Sequence, residues 1–267
     1  MKPFAYHKPD SVSAAVALLA AHANAVPLAG GMTLVPTMKQ RLAGPDHIVD
    51  LSGIAGLSGV SMDGGTLVIG ASTRHADVAS SELVLAKLPA LARLAGRIGD
   101  QQVRHRGTIG GSIANNDPAA DYPAAVLALG ADIVTDRRSI RADDFFIDMF
   151  ETALEPGEIV TSVRFPLPDA AAYCKFANPA SRYALAGVFV AKTGDAVRVA
   201  VTGAASAVFR AGDIETALSE SFEPSALERI SIDASGLMAD IHADSEYRAQ
   251  LVMVMARRAV AMALSPG

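Results

Sequence analysis

Two short stretches about eighty residues apart, Ala29-Gly30-Gly31-Met32-Thr33 and Thr108-Ile109-Gly110-Gly111-Ser112, hold the residue types best suited to binding an anion through the main chain. Each sets a Gly-Gly pair beside a hydroxyl side chain, and residues without a Cβ let backbone N–H groups come close to a ligand. Two such turns could hold one pyrophosphate between them, with the hydroxyls of Thr33, Thr108 and Ser112 helping and no lysine required. A single Gly-Gly pair taken alone is more often an ordinary turn between strands.

The elements that must position these stretches can be read on either side of them. Ala25 to Leu28 is strand-like, and Leu34 to Lys39 follows as a short helix that Thr33 is placed to cap, with orphan N–H groups facing the same anion. The second stretch lies inside Gln102 to Pro123, a long run in which Gly, Asn, Asp, Pro and basic residues follow one another, and which reads as irregular. Arg104 and Arg106 either neighbour the phosphates or form a solvated loop face. His75 and His105 have no His, Cys or carboxylate at metal-ligand spacing, so no metal site is assigned to this chain.

Ser11 is placed to cap a helix in which Val12, Ala15, Val16 and Leu19 share one buried face. Short strands are predicted at His47 to Leu51, Thr66 to Ile69 and Asp132 to Thr135, with helices over Leu83 to Ile98 and Pro123 to Leu129. The acidic and aromatic segment Asp143 to Phe150 closes this part. Further strands follow at Ile159 to Phe165, Ala186 to Ala191 and Val197 to Thr202, the last two joined through Thr193-Gly194-Asp195, which implies about three antiparallel strands. From Ile214 the chain reads helical and ends in Ser245 to Leu264. There Leu251, Val252, Met255, Ala259 and Met262 keep helical spacing, a stripe that belongs to core packing.

A chain of 267 residues is long enough for two domains with real cores. Its formal net charge of -5 leaves no basic footprint, which argues against nucleic acid as a partner. Neither a signal-peptide series nor an uninterrupted apolar run of membrane-spanning length is present, so the sequence predicts a cytoplasmic protein without an integral membrane segment. Cys174 is the one cysteine. It excludes an intrachain disulfide and cannot supply the usual set of thiolates for an iron–sulfur cluster.

The second glycine stretch resembles, almost residue for residue, the phosphate-binding loop of the FAD-binding medium subunits of molybdenum hydroxylases, the aerobic carbon monoxide dehydrogenase and xanthine dehydrogenase family. The first is similar to that family's other loop. The resemblance extends over His47-Ile48-Val49-Asp50-Leu51, Ile69 to His75, Ser139 to Phe146, Lys175 to Ala184 and Asp240 to Arg248, in matching order and spacing. It implies an α+β fold, with a PCMH or vanillyl-alcohol-oxidase-type FAD-binding domain in two α+β subdomains over residues 1–168. A C-terminal domain of a small antiparallel sheet with helices is implied over 169–267.

By the same resemblance, Leu28, Ala29, Gly30, Gly31, Met32, Thr33 and Leu34 contact FAD from the first loop. Thr108, Ile109, Gly110, Gly111, Ser112 and Asn115 do so from the second. Asp121 is implied in hydrogen bonds to the sugar or ribityl portion, with helix capping before Pro123 as its other use, and Tyr183 and Leu185 are implied near the isoalloxazine. A tyrosine there offers a flat apolar face with a polar tip. No catalytic residue is assigned, because the polypeptide binds and orients while the cofactor carries the electrons.

Two departures from relatives bear on the flavin. Met32 stands where many such subunits have a histidine and offers no attachment point, and Cys174 lies outside both loops, so the FAD is expected to be noncovalent. Ile98 stands where some relatives carry an aromatic residue. The family implies molybdopterin on a large partner subunit and two [2Fe-2S] clusters on a small one, in a dimer of heterotrimers. Electrons would pass from those clusters to FAD here and on to an acceptor. The substrate would bind on another chain and is not legible here. Two other readings stay open: a self-contained flavin oxidoreductase of the same fold, and a flavin-free assembly module.

Overall fold

Strand β1 (Ala5–His7) leads into α1 (Val12–Ala21), where the Ser11 side chain accepts the Ala14 amide as expected and Ala15 and Leu19 are buried. Strand β2 (Ala25–Leu28) runs into the first glycine stretch, α2 (Leu34–Lys39) follows, and β3 (His47–Asp50) returns between the two strands to give a parallel sheet of order β1-β3-β2. Helix α1 packs its apolar face with Val49, Leu51, Ile54 and Leu57 in a small core of its own. A computed structural model describes residues 1–265 of the chain; the last two residues of the expected second domain, Pro266 and Gly267, lie outside the described residues.

The hairpin β4 (Val60–Asp63) and β5 (Thr66–Gly70) opens a second sheet. Helices α3 (His75–Ser80), α4 (Glu82–Lys87), α5 (Pro89–Gly96), α6 (Gln101–Arg104), α7 (Ile109–Asn115) and α8 (Tyr122–Ala128) then cover it. The single helix expected over Leu83 to Ile98 is two, broken at Leu88 (φ −146°, ψ 62°), because Pro89 cannot donate to the preceding turn and excludes the helical conformation before it. The run Gln102 to Pro123 is likewise not irregular throughout: it contains the end of α6, all of α7 and the start of α8.

Strands β6 (Asp132–Thr135) and β7 (Ser139–Arg141) precede α9 (Ala142–Phe145) and the small hairpin β8 (Phe146–Asp148) and β9 (Glu151–Thr152). The chain then returns to the middle of the second sheet as β10 (Val160–Phe165), giving the antiparallel order β4-β5-β10-β6-β7. Val163 and Phe165 on this central strand are fully buried.

A third, four-stranded antiparallel sheet follows, β11 (Ala170–Ala177), β12 (Ala184–Thr193), β13 (Ala196–Thr202) and β14 (Phe209–Arg210), in that order. The β12–β13 turn falls where expected, with Gly194 at φ +56°. Helices α10 (Gly212–Glu220) and α11 (Ser245–Leu264) complete the fold, α11 being capped by Asp244 through the Tyr247 amide. Both faces of this sheet are covered. Tyr173, Phe189 and Ala200 join the core of α5 and α8, while Cys174, Val188, Val199 and Val201 pack with Leu251, Val252, Met255 and Ala259 of α11. Met262 departs from the predicted stripe: it lies at the margin, partly exposed, its sulfur against that of Cys174. The architecture is α+β, as the sequence implied.

Arg248 of α11 is 2% exposed and donates from Nη1 to the carbonyls of Leu185 and Gly203 and from Nη2 to Asp240. Those two carbonyls are buried ends of β12 and β13 that nothing apolar can satisfy. Arg248→Met is expected to lower unfolding free energy by about 3 kcal/mol in urea titrations; a change under about 1 kcal/mol would show that the guanidinium is replaceable.

Candidate functional site

The two glycine stretches meet in space. A Cβ on Gly30 would overlap the carbonyl of Arg106, and one on Gly111 would stand 3.3 Å from the Ala29 Cβ and 3.0 Å from the Thr108 hydroxyl. Behind them a Cβ on Gly107 would stand 2.5 Å from His75 Nε2 and one on Gly110 2.7 Å from the Ala71 carbonyl oxygen. Only residues lacking a side chain let these backbones stack so closely.

Their amides are used differently. In the second stretch Ile109 N–H donates to Thr73 O, Gly110 N–H to Ala71 O, Gly111 N–H to the Thr108 hydroxyl and Ser112 N–H to Thr108 O. The expectation that Gly110 and Gly111 present free amides to an anion is therefore corrected: Thr108 caps α7 and closes its first turn. In the first stretch, Gly30, Gly31, Met32, Thr33 and Leu34 find no acceptor for their N–H groups among the described residues. Gly31 adopts φ +73°, a left-handed residue inside the run that curls successive amides into a concave anion-binding nest. Thr33 sits at the N-cap of α2 but its side chain makes no capping bond, which leaves the hydroxyl for a ligand.

This nest opens on a cleft of about 470 Å³, a size typical of small-molecule and cofactor sites. Leu28 to Leu34, Thr108, Gly110, Gly111, Ser112, Asn115, Asp121 and Tyr183 line it. Two implied contacts do not. Ile109 is fully buried in the core beneath α7, and the Leu185 side chain points with the face of β12 that packs on α11. Met32 and Ile98 line the cleft, whereas Cys174 does not. Arg104 and Arg106 also stay out of the lining; the Arg104 guanidinium donates to the carbonyls of Ile98 and Gly99.

Asp121 is the buried polar centre of the cleft wall. Tyr173 donates its hydroxyl to Oδ1 and Lys175 Nζ lies 2.9 Å from Oδ2, while no capping bond to α8 forms. Burial pushes the Asp121 carboxyl up and Lys175 opposes it. The Lys175 ammonium also donates to Arg97 O and Arg182 O, so its three protons are all taken. Sequence reading missed Lys175 as a site residue because two of its partners, Arg97 and Asp121, lie more than fifty residues away along the chain. Tyr183 lines the cleft as well, and burial together with Asp117 and Asp121 pushes its hydroxyl up.

His75 lies beneath the second stretch and lines the cleft. It is buried, Nδ1 has no partner, and burial together with Arg104 holds the imidazole down to about 4. Its backbone shows why it is there: the His75 amide donates to Gly107 O, tying the start of α3 to the loop.

Residues 2–168 match the family described as the FAD binding domain in molybdopterin dehydrogenase. The chain is 38% identical over 274 residues to the carbon monoxide dehydrogenase medium chain of Hydrogenophaga pseudoflava, covering 96% of each. It is 35% identical over 269 residues to the nicotine 6-hydroxylase medium subunit of Paenarthrobacter nicotinovorans, covering 96% of this chain and 95% of that one. Among solved structures, the carbon monoxide dehydrogenase of Hydrogenophaga pseudoflava that lacks the Mo-pyranopterin moiety of its molybdenum cofactor superposes with a TM-score of 0.89, covering 98% of each chain at 37% identity.

The His75 shift has a signed consequence. The unfolded chain takes up a proton at the ordinary value of 6.5 and the folded chain only near 4, so stability falls as pH drops through that window. The loss at its acid end amounts to about 3 kcal/mol. Urea unfolding of wild type and His75→Gln at pH 7 and 4.5 should show the variant losing less stability on acidification; parallel losses would exclude His75 as the source.

Proposed function

Since the chain belongs to the family of FAD-binding medium subunits of molybdenum hydroxylases, an oxidoreductase family, we propose that the glycine cleft is where this member holds FAD and that it serves as the electron-transfer subunit of its complex. The observation that carries the reading is the run of five amides from Gly30 to Leu34 along the cleft that have no acceptor among the described residues. Such amides, arranged around a left-handed glycine, suit the pyrophosphate of a dinucleotide without a cationic side chain. The second stretch supports that nest by close packing, and offers the Thr108, Ser112 and Asn115 side chains rather than its amides.

The residues fit FAD along the rest of the cleft. Ile98 and Tyr183 provide apolar and aromatic walls for a flat ring, and Asp121 retains acceptor capacity for the hydroxyls of a sugar or ribityl chain. With Met32 at the nest and Cys174 outside the cleft, neither glycine stretch itself carries a histidine or cysteine to attach the flavin covalently. When bound, FAD supplies the ability to take electrons singly and to give them up in pairs.

On this reading residues 1–168 are the FAD-binding domain and 169–267 a C-terminal domain whose sheet lends Tyr173, Lys175 and Tyr183 to the site. The chain receives electrons from [2Fe-2S] clusters on a small partner and passes them to an external acceptor, with molybdopterin on a large partner and a dimer of heterotrimers as the assembly. Relatives named for carbon monoxide and for nicotine share this subunit design, which supports a substrate site on another chain. No helix among the described residues is long and apolar enough to cross a membrane, in keeping with a cytoplasmic complex.

Isolation of the chain from its own cells should bring down a large and a small partner, with flavin and iron–sulfur absorbance in the complex and acid-releasable FAD; a partnerless chain that carries flavin and reacts with substrate itself would overturn the relay. Gly31→Ala places a Cβ at a left-handed residue, which costs about 1–2 kcal/mol and distorts the nest. FAD rebinding to the apoprotein should weaken about tenfold with the circular dichroism spectrum unchanged. Unaltered FAD affinity would remove the nest from the cofactor site.

A further inference from the structure

Folding brings together three histidines that the sequence keeps apart. His7 ends β1, His22 is the C-cap of α1 and His47 opens β3. His7 Nε2 lies 3.0 Å from His47 Nδ1, and the rings of His22 and His47 stack with centroids 3.7 Å apart and planes 7° from parallel. One ring nitrogen from each of the three falls within 4.8 Å of the others. The sequence expectation of no metal ligands rests on local spacing, which says nothing about residues joined by a parallel sheet.

We propose that His7, His22 and His47 bind one divalent late transition metal ion, of the zinc, copper or nickel class, and so fasten β1, the end of α1 and β3 together. Imidazole nitrogen is the donor these ions share. With metal–nitrogen bonds of about 2.0–2.1 Å, neighbouring ligands lie roughly 3 Å apart, the separation already present between His7 and His47.

Among the described residues the ring nitrogens of the three make one hydrogen bond, the one between His7 and His47, so His22 is free to turn toward an ion. All three side chains are half-buried, fixed on one side and open to water on the other, and water can complete the coordination. Asp46, adjacent to His47 and bonded to Asn24, contributes the nearby negative charge.

The cluster is separate from the FAD cleft. His47 pairs with Ala25 at one end of β2, whereas the glycine stretch leaves from Leu28 at the other, and none of the three histidines lines the cleft. Its test therefore stands apart from flavin binding.

Tag-free chain, stripped with chelator, should bind one equivalent of Zn²⁺ by calorimetry and gain melting temperature with added Zn²⁺. Since changes even outside a metal's ligands weaken binding about tenfold or more, His22→Gln and His47→Gln should each do at least that, with flavin content unchanged. One equivalent of Cu²⁺ bound to the wild type should give an electron paramagnetic resonance spectrum split by several nitrogens, a readout that needs no variant. Absence of a saturable equivalent, a copper spectrum without nitrogen splitting, or full binding by the His7→Gln, His22→Gln, His47→Gln triple variant would overturn the site.

Discussion

The buried ammonium of Lys175 is the constraint on which the geometry of the cleft depends. Its side chain is 1% exposed, and an unpaired charge at that depth would cost several kcal/mol. Three acceptors therefore have to converge on one atom: Arg97 O from the end of α5, Asp121 Oδ2 from the start of α8, and Arg182 O from the loop after β11. Each of these leads into a wall of the cleft: Ile98 follows Arg97, Asp121 itself lines the wall, and Tyr183 follows Arg182. Arg182 holds φ +63°, a conformation rare for a side-chain-bearing residue, which turns its carbonyl onto Lys175 and sends Tyr183 back toward the ligand side. One charge thus couples the placement of three segments from both halves of the chain.

Elsewhere in the cleft lining, glycine packing sets up a division of labour. Gly30 rests on Arg106 and Gly107, Gly107 on His75, and Gly110 on Ala71, so three backbones and an imidazole are stacked where side chains would hold them apart. The second stretch is fastened by its own amides, through Ala71, Thr73 and Thr108. Having a rigid floor, the first stretch can leave five amides in a row without acceptors among the described residues. Unsatisfied main-chain donors are tolerated at a surface wetted by solvent or filled by an anion, and are costly anywhere else.

Many local signals were legible in the sequence, although the helix break before Pro89 and the idle Thr33 cap were not. The Ser11 cap, the α11 stripe, the Gly194 turn and the strand at Asp132–Thr135 all rest on spacing within a few residues. Lines of thought that needed a partner fared worse. The alanines that open β11 do not announce a strand, since it is Tyr173 and Cys174, each buried on a different face, that hold it in place. Ile109 and Leu185 read as cofactor contacts along with their neighbours in the chain, yet a single step along helix or strand turns a side chain from the cleft into the core. Lys175 and the three clustered histidines were hidden for a related reason: each owes its role to groups on other elements, as Lys175 does to Asp121 and His7 to His47.

The acid–base character of the cleft separates the readings that its shape alone leaves open. A stand-alone flavin oxidoreductase must usually take a proton from its substrate with a group poised near neutrality. His75 is held near 4, and Glu158 is held down to about 2 by Arg138. Asp121 has both oxygens engaged by Tyr173 and Lys175, and Tyr183 is pushed away from neutrality in the direction that keeps its proton. Asp117 is the remaining carboxyl that burial pushes up, but it is fixed by the Ala119 amide and has no imidazole to relay a proton. Among the described residues the cleft thus offers amides and hydroxyls for an anion and a single unrelayed carboxyl for moving protons, which agrees better with the proposed electron-transfer role than with a self-contained oxidoreductase.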